Sequence, residues 1–232
     1  MTFQNYISKL NRNSQIIFKE SILNIDNYSE TYNFIYCLSE FSDLISDENE
    51  QMILKNVCPQ LEMGLYCCSI GLYRQAFASL RLGFEIGMST VYFSLNKLEY
   101  FEWIKGKNDI RWSTLTDVEN GLFSKRVNSL FNNFDENVLN EYSIKAKSIY
   151  RDMSEHVHGN YTTWATIAEV KYSSDSESTY LIAFKNVFDT LAFVLSCRYL
   201  RELDIFQKEK IELINERLGH IENIRKQFNI SK

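Results

Sequence analysis

The stretch Leu72–Leu95, LYRQAFASLRLGFEIGMSTVYFSL, decides the fold. Leu72, Ala76, Phe77, Leu80, Phe84, Met88, Val91, Tyr92 and Leu95 recur at helical spacing, with no proline among them. A segment this long and apolar reads as a central, heavily buried helix. Gly83 and Gly87 carry no side chain and would let another helix approach closely.

Upstream, Asn5–Leu23 is amphipathic through Tyr6, Leu10, Ile17 and Phe18, and predicts a helix. Asn27-Tyr28-Ser29-Glu30 reads as a turn and cap, followed by a helix over Thr31–Ile45 with Phe34, Ile35, Leu38, Phe41 and Ile45. Ser46 or Asp47 can cap the next helix, whose first turn is acidic. Pro59 either kinks that helix or opens a new one, and Gly71 divides Leu61–Ser69 from the central segment.

Downstream, residues 105–118 read as a loop and Glu119–Phe131 as a helix. Asp135 caps a helix running through Ile149 to His156-Val157-His158, and Gly159 stops it. Asn160–Tyr172 is open to helix or strand. Ser173–Ser178 is a polar loop, Thr179–Leu203 a second long apolar helix. Phe206–Phe228 carries a heptad-like stripe of Ile211, Ile214, Leu218, Ile221 and Phe228 and predicts an amphipathic C-terminal helix. The expectation is one all-α domain over residues 1–232 with a C-terminal helical extension.

Composition points the same way. One proline and eight glycines are too few for a fold with frequent turns. The net charge of −5 and pI near 5.4 argue against constitutive, nonspecific nucleic-acid binding but leave room for a small basic cleft. No apolar run approaches the roughly 20 residues that span a bilayer. Met1-Thr-Phe-Gln-Asn-Tyr6 lacks the pattern of a secretory leader. The five cysteines form no CxxC pair and read as buried thiols. The expected setting is the cytoplasm, without a membrane.

The densest chemistry is Arg151-Asp-Met-Ser-Glu-His156-Val-His158-Gly159, which holds two of the three histidines. At about 100° per residue, His158 returns to within roughly 20° of Arg151, about 10 Å along the axis. His156 points about 140° away from Arg151. A guanidinium fork beside an imidazole suits a phosphate, because one neutralises charge and the other moves a proton. The plainer reading is a helix-terminal His favoured by the dipole, next to a surface Arg.

The spacing resembles that of HEPN domains, a superfamily of helical ribonucleases and nucleic-acid-binding proteins. Both Arg151-x4-His156 and Arg151-x6-His158 are present, Asp152 follows the arginine, and His158-Gly159 matches a common ending. The wider segment is similar to bacterial HEPN-like proteins with Leu-Arg-x-x-x-Glu upstream, here Leu80–Glu85, and Ser-x-x-x-His-Gly downstream, here Ser154–Gly159. The resemblance covers roughly residues 60–205. It implies an up-and-down helical bundle and a metal-independent endoribonuclease without cofactors. In such proteins the 2′-hydroxyl of RNA attacks the phosphate and leaves a cyclic phosphate. It further implies a homodimer with two Arg–His pairs across one cleft, and a role as toxin or antiviral defence effector, with a regulatory partner protein. Arg151, His158 and His156 would be catalytic, with Asp152 and Ser154 in support. The alternative is a non-catalytic HEPN-like module that binds RNA, a nucleotide or a partner protein.

Arg81 and Glu85 stand four apart on the central helix. They are either an ion pair at the core edge or the border of a cleft, where the resemblance implies that Glu85 holds His158 or Arg151 in place. Tyr161 and Trp164 are either core or base-stacking residues. His156-x-His158 is too sparse for a zinc site, and His220 lies in the C-terminal segment. No phosphate loop, GxSxG or HExxH occurs.

Overall fold

The computed structural model describes residues 1–131, 133–158, 160, 161, 163 and 170–228. Among these residues every regular element is a helix. In chain order they are α1 (Phe3–Ser21), α2 (Ile25–Leu44), α3 (Glu48–Lys55), α4 (Val57–Ser69), α5 (Tyr73–Leu95), α6 (Lys97–Ile104), α7 (Trp112–Leu115), α8 (Lys125–Phe131), α9 (Glu136–Val157) and α10 (Ser174–Tyr199). Three short helices follow, Ile205–Lys210, Glu212–Leu218 and Glu222–Gln227.

The central helix is α5, packed against α3, α4, α9 and α10. Its small residues do what the sequence anticipated. A Cβ on Gly83 would meet Leu61 of α4 at 2.8 Å, and one on Gly87 would meet Leu191 of α10 at 2.7 Å. Two neighbours therefore press against α5 on surfaces that any side chain would push apart. Leu80, Phe84 and Met88 of α5 and Phe184, Leu191 and Phe193 of α10 are wholly buried, each contributing about 1.5–3 kcal/mol of hydrophobic stabilisation.

Helix α10 and its short continuation, Ser174–Glu202, have the length and mean hydropathy (1.4) of a membrane span, which the sequence reading did not pick out. Some 67% of its most apolar window is buried, so its apolar surface is already used against α2, α5 and α9. Polar clamps tie the same helices. Arg217 holds Asp189 of α10 with Nε and Nη2, each at 2.9 Å, while Lys145 of α9 reaches the same carboxylate at 3.2 Å. Glu50 of α3, almost fully buried, accepts from Lys97 and from the Tyr199 hydroxyl. Cys37, Cys58, Cys67 and Cys68 are buried free thiols, and burial pushes Cys58 up to about 11.

Several local expectations change. Asn27–Glu30 lies inside α2, because the chain turns earlier, in a 3-10 turn at Ile22–Asn24. Glu119–Asn120 make a turn around Asp117, whose carboxylate takes both of their backbone N–H groups, and α8 starts only at Lys125. Ser173–Ser178 is no loop: Ser173 caps α10 by accepting from Ser176, and Asp175 and Glu177 sit in its first turn, where carboxylates favour the positive helix end. Glu177 is 1% exposed and binds Asn24, Tyr28 and Tyr172. The segment 206–228 is not one extended helix. It bends at Ile211 and again at Gly219–Ile221, and these bends bring Ile211, Ile214, Leu218, Ile221, Ile224 and Phe228 into the core. The stripe that suggested a heptad-like extension is instead an inward face, which winds back over α2 and α10.

Candidate functional site

The site lies on the seam between α5 and α9, which run antiparallel there. Asp135 caps α9 by accepting from the Asn137 N–H, and the helix continues unbroken to Val157. His158 is the cap residue, extended in backbone (φ −81°, ψ 159°), and its N–H bonds the Ser154 carbonyl. Gly159, the expected stop, lies outside the described residues.

Arg81 is the hub. Its Nη1 stands 3.4 Å from Nε2 of His158. A guanidinium only donates, so the imidazole offers a lone pair in this contact. Nη2 donates to the Tyr150 hydroxyl and, at 3.4 Å, to Oε1 of Glu85. Tyr150 in turn donates to Glu85 at 2.7 Å, and burial, with the Glu85 carboxylate beside it, raises the phenol above its ordinary value. The guanidinium also lies over the Tyr150 ring, 4.6 Å from its centre. That ring stacks on Trp112 at 4.0 Å and an interplanar angle of 3°. Trp112, from α7 within the segment read as loop, leans on Phe84. Arg81 is thus gripped by a carboxylate, a phenol and an aromatic column. Its Nε is buried and, among the described residues, has no hydrogen-bond partner, a donor left over in a place where unpaired buried donors are costly.

The other expected residues scatter around this hub. Arg151 is 82% exposed and its Nε is 3.9 Å from Glu155; among the described residues it has no hydrogen bond or ring contact with either histidine. The arginine that meets His158 is Arg81, not Arg151. His156 stacks flat on Phe77 (3.8 Å, 3°), and its Nδ1 is buried without a partner among the described residues. Desolvation, the largest influence, and the nearby Arg74 lower its pKa, against Glu155 and Asp152. Ser154 bonds the Tyr150 carbonyl one turn back, a local satisfaction. Asp152 is solvent-exposed. Tyr161 is 79% exposed, and Trp164 lies outside the described residues. Tyr150 and Trp112 were missed. Tyr150 adjoins Arg151 in the motif, but nothing local marks a tyrosine as part of a tertiary stack.

Larger cavities, about 680 and 320 Å³, open around Tyr92 and Glu99 at the other end of α5. They bring no histidine into reach, so the chemistry favours the seam over the larger hollows. Among the described residues no three His, Cys, Asp or Glu side chains converge as a metal site. No family model, no curated protein and no solved structure matches the chain.

Proposed function

We propose that this protein is an HEPN-type endoribonuclease of the cytoplasm, acting on RNA without a metal, whose working pair is Arg81 and His158. The observation that carries this reading is the 3.4 Å contact between the Arg81 guanidinium and His158 Nε2 at the end of α9. Arg81 neutralises the phosphate as charge develops on it. His158 moves the proton: it takes one from the attacking 2′-hydroxyl, or gives one to the departing 5′-oxygen. The P–O bond to the 2′-oxygen forms as the bond to the 5′-oxygen breaks, leaving a cyclic phosphate. Tyr150 and Glu85 position Arg81, and the exposed Arg151 meets the substrate from outside. Tyr161, exposed to solvent, offers a ring for a base. One histidine performs one proton transfer at a time, so a homodimer that pairs two seams supplies both acid and base. A toxin or antiviral role, held in check by a partner protein, fits such an activity.

One feature favours a second reading. Glu85 and Tyr150 already occupy Arg81, and Glu155 lies 3.9 Å from the exposed Arg151, as in a module that binds RNA, a nucleotide or a partner without cutting. Incubating the purified protein with total RNA in EDTA separates the two. Fragments with cyclic phosphate ends, lost in His158→Gln and Arg81→Ala, support the nuclease; intact RNA retained on the wild-type protein supports the module.

A further inference from the structure

Three arginines surround the end of α9, and they differ in what neutralises them. Arg81 has Glu85, and Arg151 has Glu155. Arg74 has no ion pair or hydrogen bond among the described residues, although it is only half-exposed. Its position follows from the helix. Seven residues before Arg81, it falls within roughly 20° of the same side of α5 and about 10 Å along the axis. The antiparallel pairing fixes the direction. Glu85 meets Tyr150, Arg81 meets His158, and Phe77 meets His156. Arg74, one turn beyond Phe77, therefore stands just past the C-terminal end of α9. Its charge is felt there: it opposes protonation of His156.

We infer that Arg74 is a second phosphate-binding position, so that the seam takes a single-stranded RNA with one phosphate at Arg81 and a neighbouring one at Arg74. This rests on the ribonuclease reading above and adds its substrate class, a strand rather than a lone nucleotide. An unpaired guanidinium offers a planar fork that matches a phosphate's oxygens. The Tyr161 ring, three residues past His158 in the chain and open to solvent, provides a face on which an unstacked base can rest, and only a single strand presents such bases. The competing role for Arg74 is purely structural, a cation favoured by the negative end of the α9 dipole.

Salt dependence distinguishes these roles. Binding of a 2′-O-methyl oligonucleotide, which cannot be cleaved, is measured by anisotropy over a range of salt, beside cleavage of the matching RNA. Arg74→Gln should weaken binding about fivefold at about 0.1 M salt and flatten the log–log slope by about 0.7, the share of one phosphate contact on a single strand. The loss should fall on KM more than on kcat, and Arg74→Lys should keep the slope. An unchanged slope in Arg74→Gln, with or without a lower melting temperature, overturns the inference while Arg81→Ala still tests the nuclease. Wild-type protein that neither binds nor cuts the RNA overturns both.

Discussion

Asp189 and Glu85 are both carboxylates on long buried helices, and each faces an arginine and a donor from α9. At Asp189 the arithmetic closes. Arg217 binds both oxygens as a fork and Lys145 adds a third contact. At Glu85 it does not. Tyr150 and Arg81 share one oxygen, Arg81 turns another donor to His158, and its Nε has no partner among the described residues. The first set is saturated and sits between helices. The second is balanced in charge but leaves one buried donor unmatched, and it opens onto an exposed histidine. The same residue types make a saturated clamp in one place and an unsaturated edge in the other. The difference lies in whether the last donor finds a protein acceptor.

The comparison can be broken most sharply at His158. His158→Gln should lower RNA cleavage by about 10²- to 10⁴-fold, the usual worth of a positioned acid or base, with an unchanged melting curve; His156→Gln should do far less. Equal losses in both would mean that the contact with Arg81 is not the working one. Arg81→Ala should cost about 10²- to 10³-fold, and Arg81→Lys should recover little of it, since an ammonium cannot hold Glu85, Tyr150 and His158 together. Full rescue by lysine would reduce Arg81 to a point charge.

On the saturated side, Asp189→Ala should lower stability by about 2–3 kcal/mol in urea titration. That is less than a fully buried pair loses, because its cationic partners keep 26–29% of their surface in water. Cleavage below the melting range should persist; its loss would show the two clusters to be coupled. Tyr150→Phe keeps the stack on Trp112 and removes the hydroxyl between Glu85 and Arg81. It should raise the barrier by about 1–2 kcal/mol, about tenfold in rate.

The smallest effect is on pH. The pKa of His156 is held below 6.5 by burial, with Arg74 adding to the depression and Glu155 and Asp152 opposing it. As pH falls through 6.5 the unfolded chain takes up this proton before the folded one does. Stability should therefore decline from that pH downward, with no contribution above it. His156→Gln should flatten the decline, and an unaltered acid limb would show that the ring is not held neutral.

Helices built on apolar spacing were legible in the sequence, because burial of Leu80, Phe84 and Leu191 is a periodic property. Boundaries set by capping were harder. Ser173-Ser-Asp-Ser-Glu-Ser178 has the composition of a loop, yet its serines and acids are those that start a helix. At the site, Arg81, Glu85 and His158 could be named from the chain, whereas the partnership of Arg81 with His158 could not. Helical phase relates residues on one helix and so joined His158 to Arg151; contact across a seam depends on how two helices cross. Tyr150 and Trp112 were hidden for the same reason, since a ring stack is a property of packing.

The inward winding of residues 205–228 also has a temporal side. Phe34 of α2 lies under the guanidinium of Arg217, and the short C-terminal helices cover α2 and α10. A chain emerging from the ribosome thus carries an early helix whose covering surface is made among the last residues described. Contacts this distant along the chain slow the search for the native state. During that wait the apolar sides of α2 and α10 lie open to chaperones and to other chains.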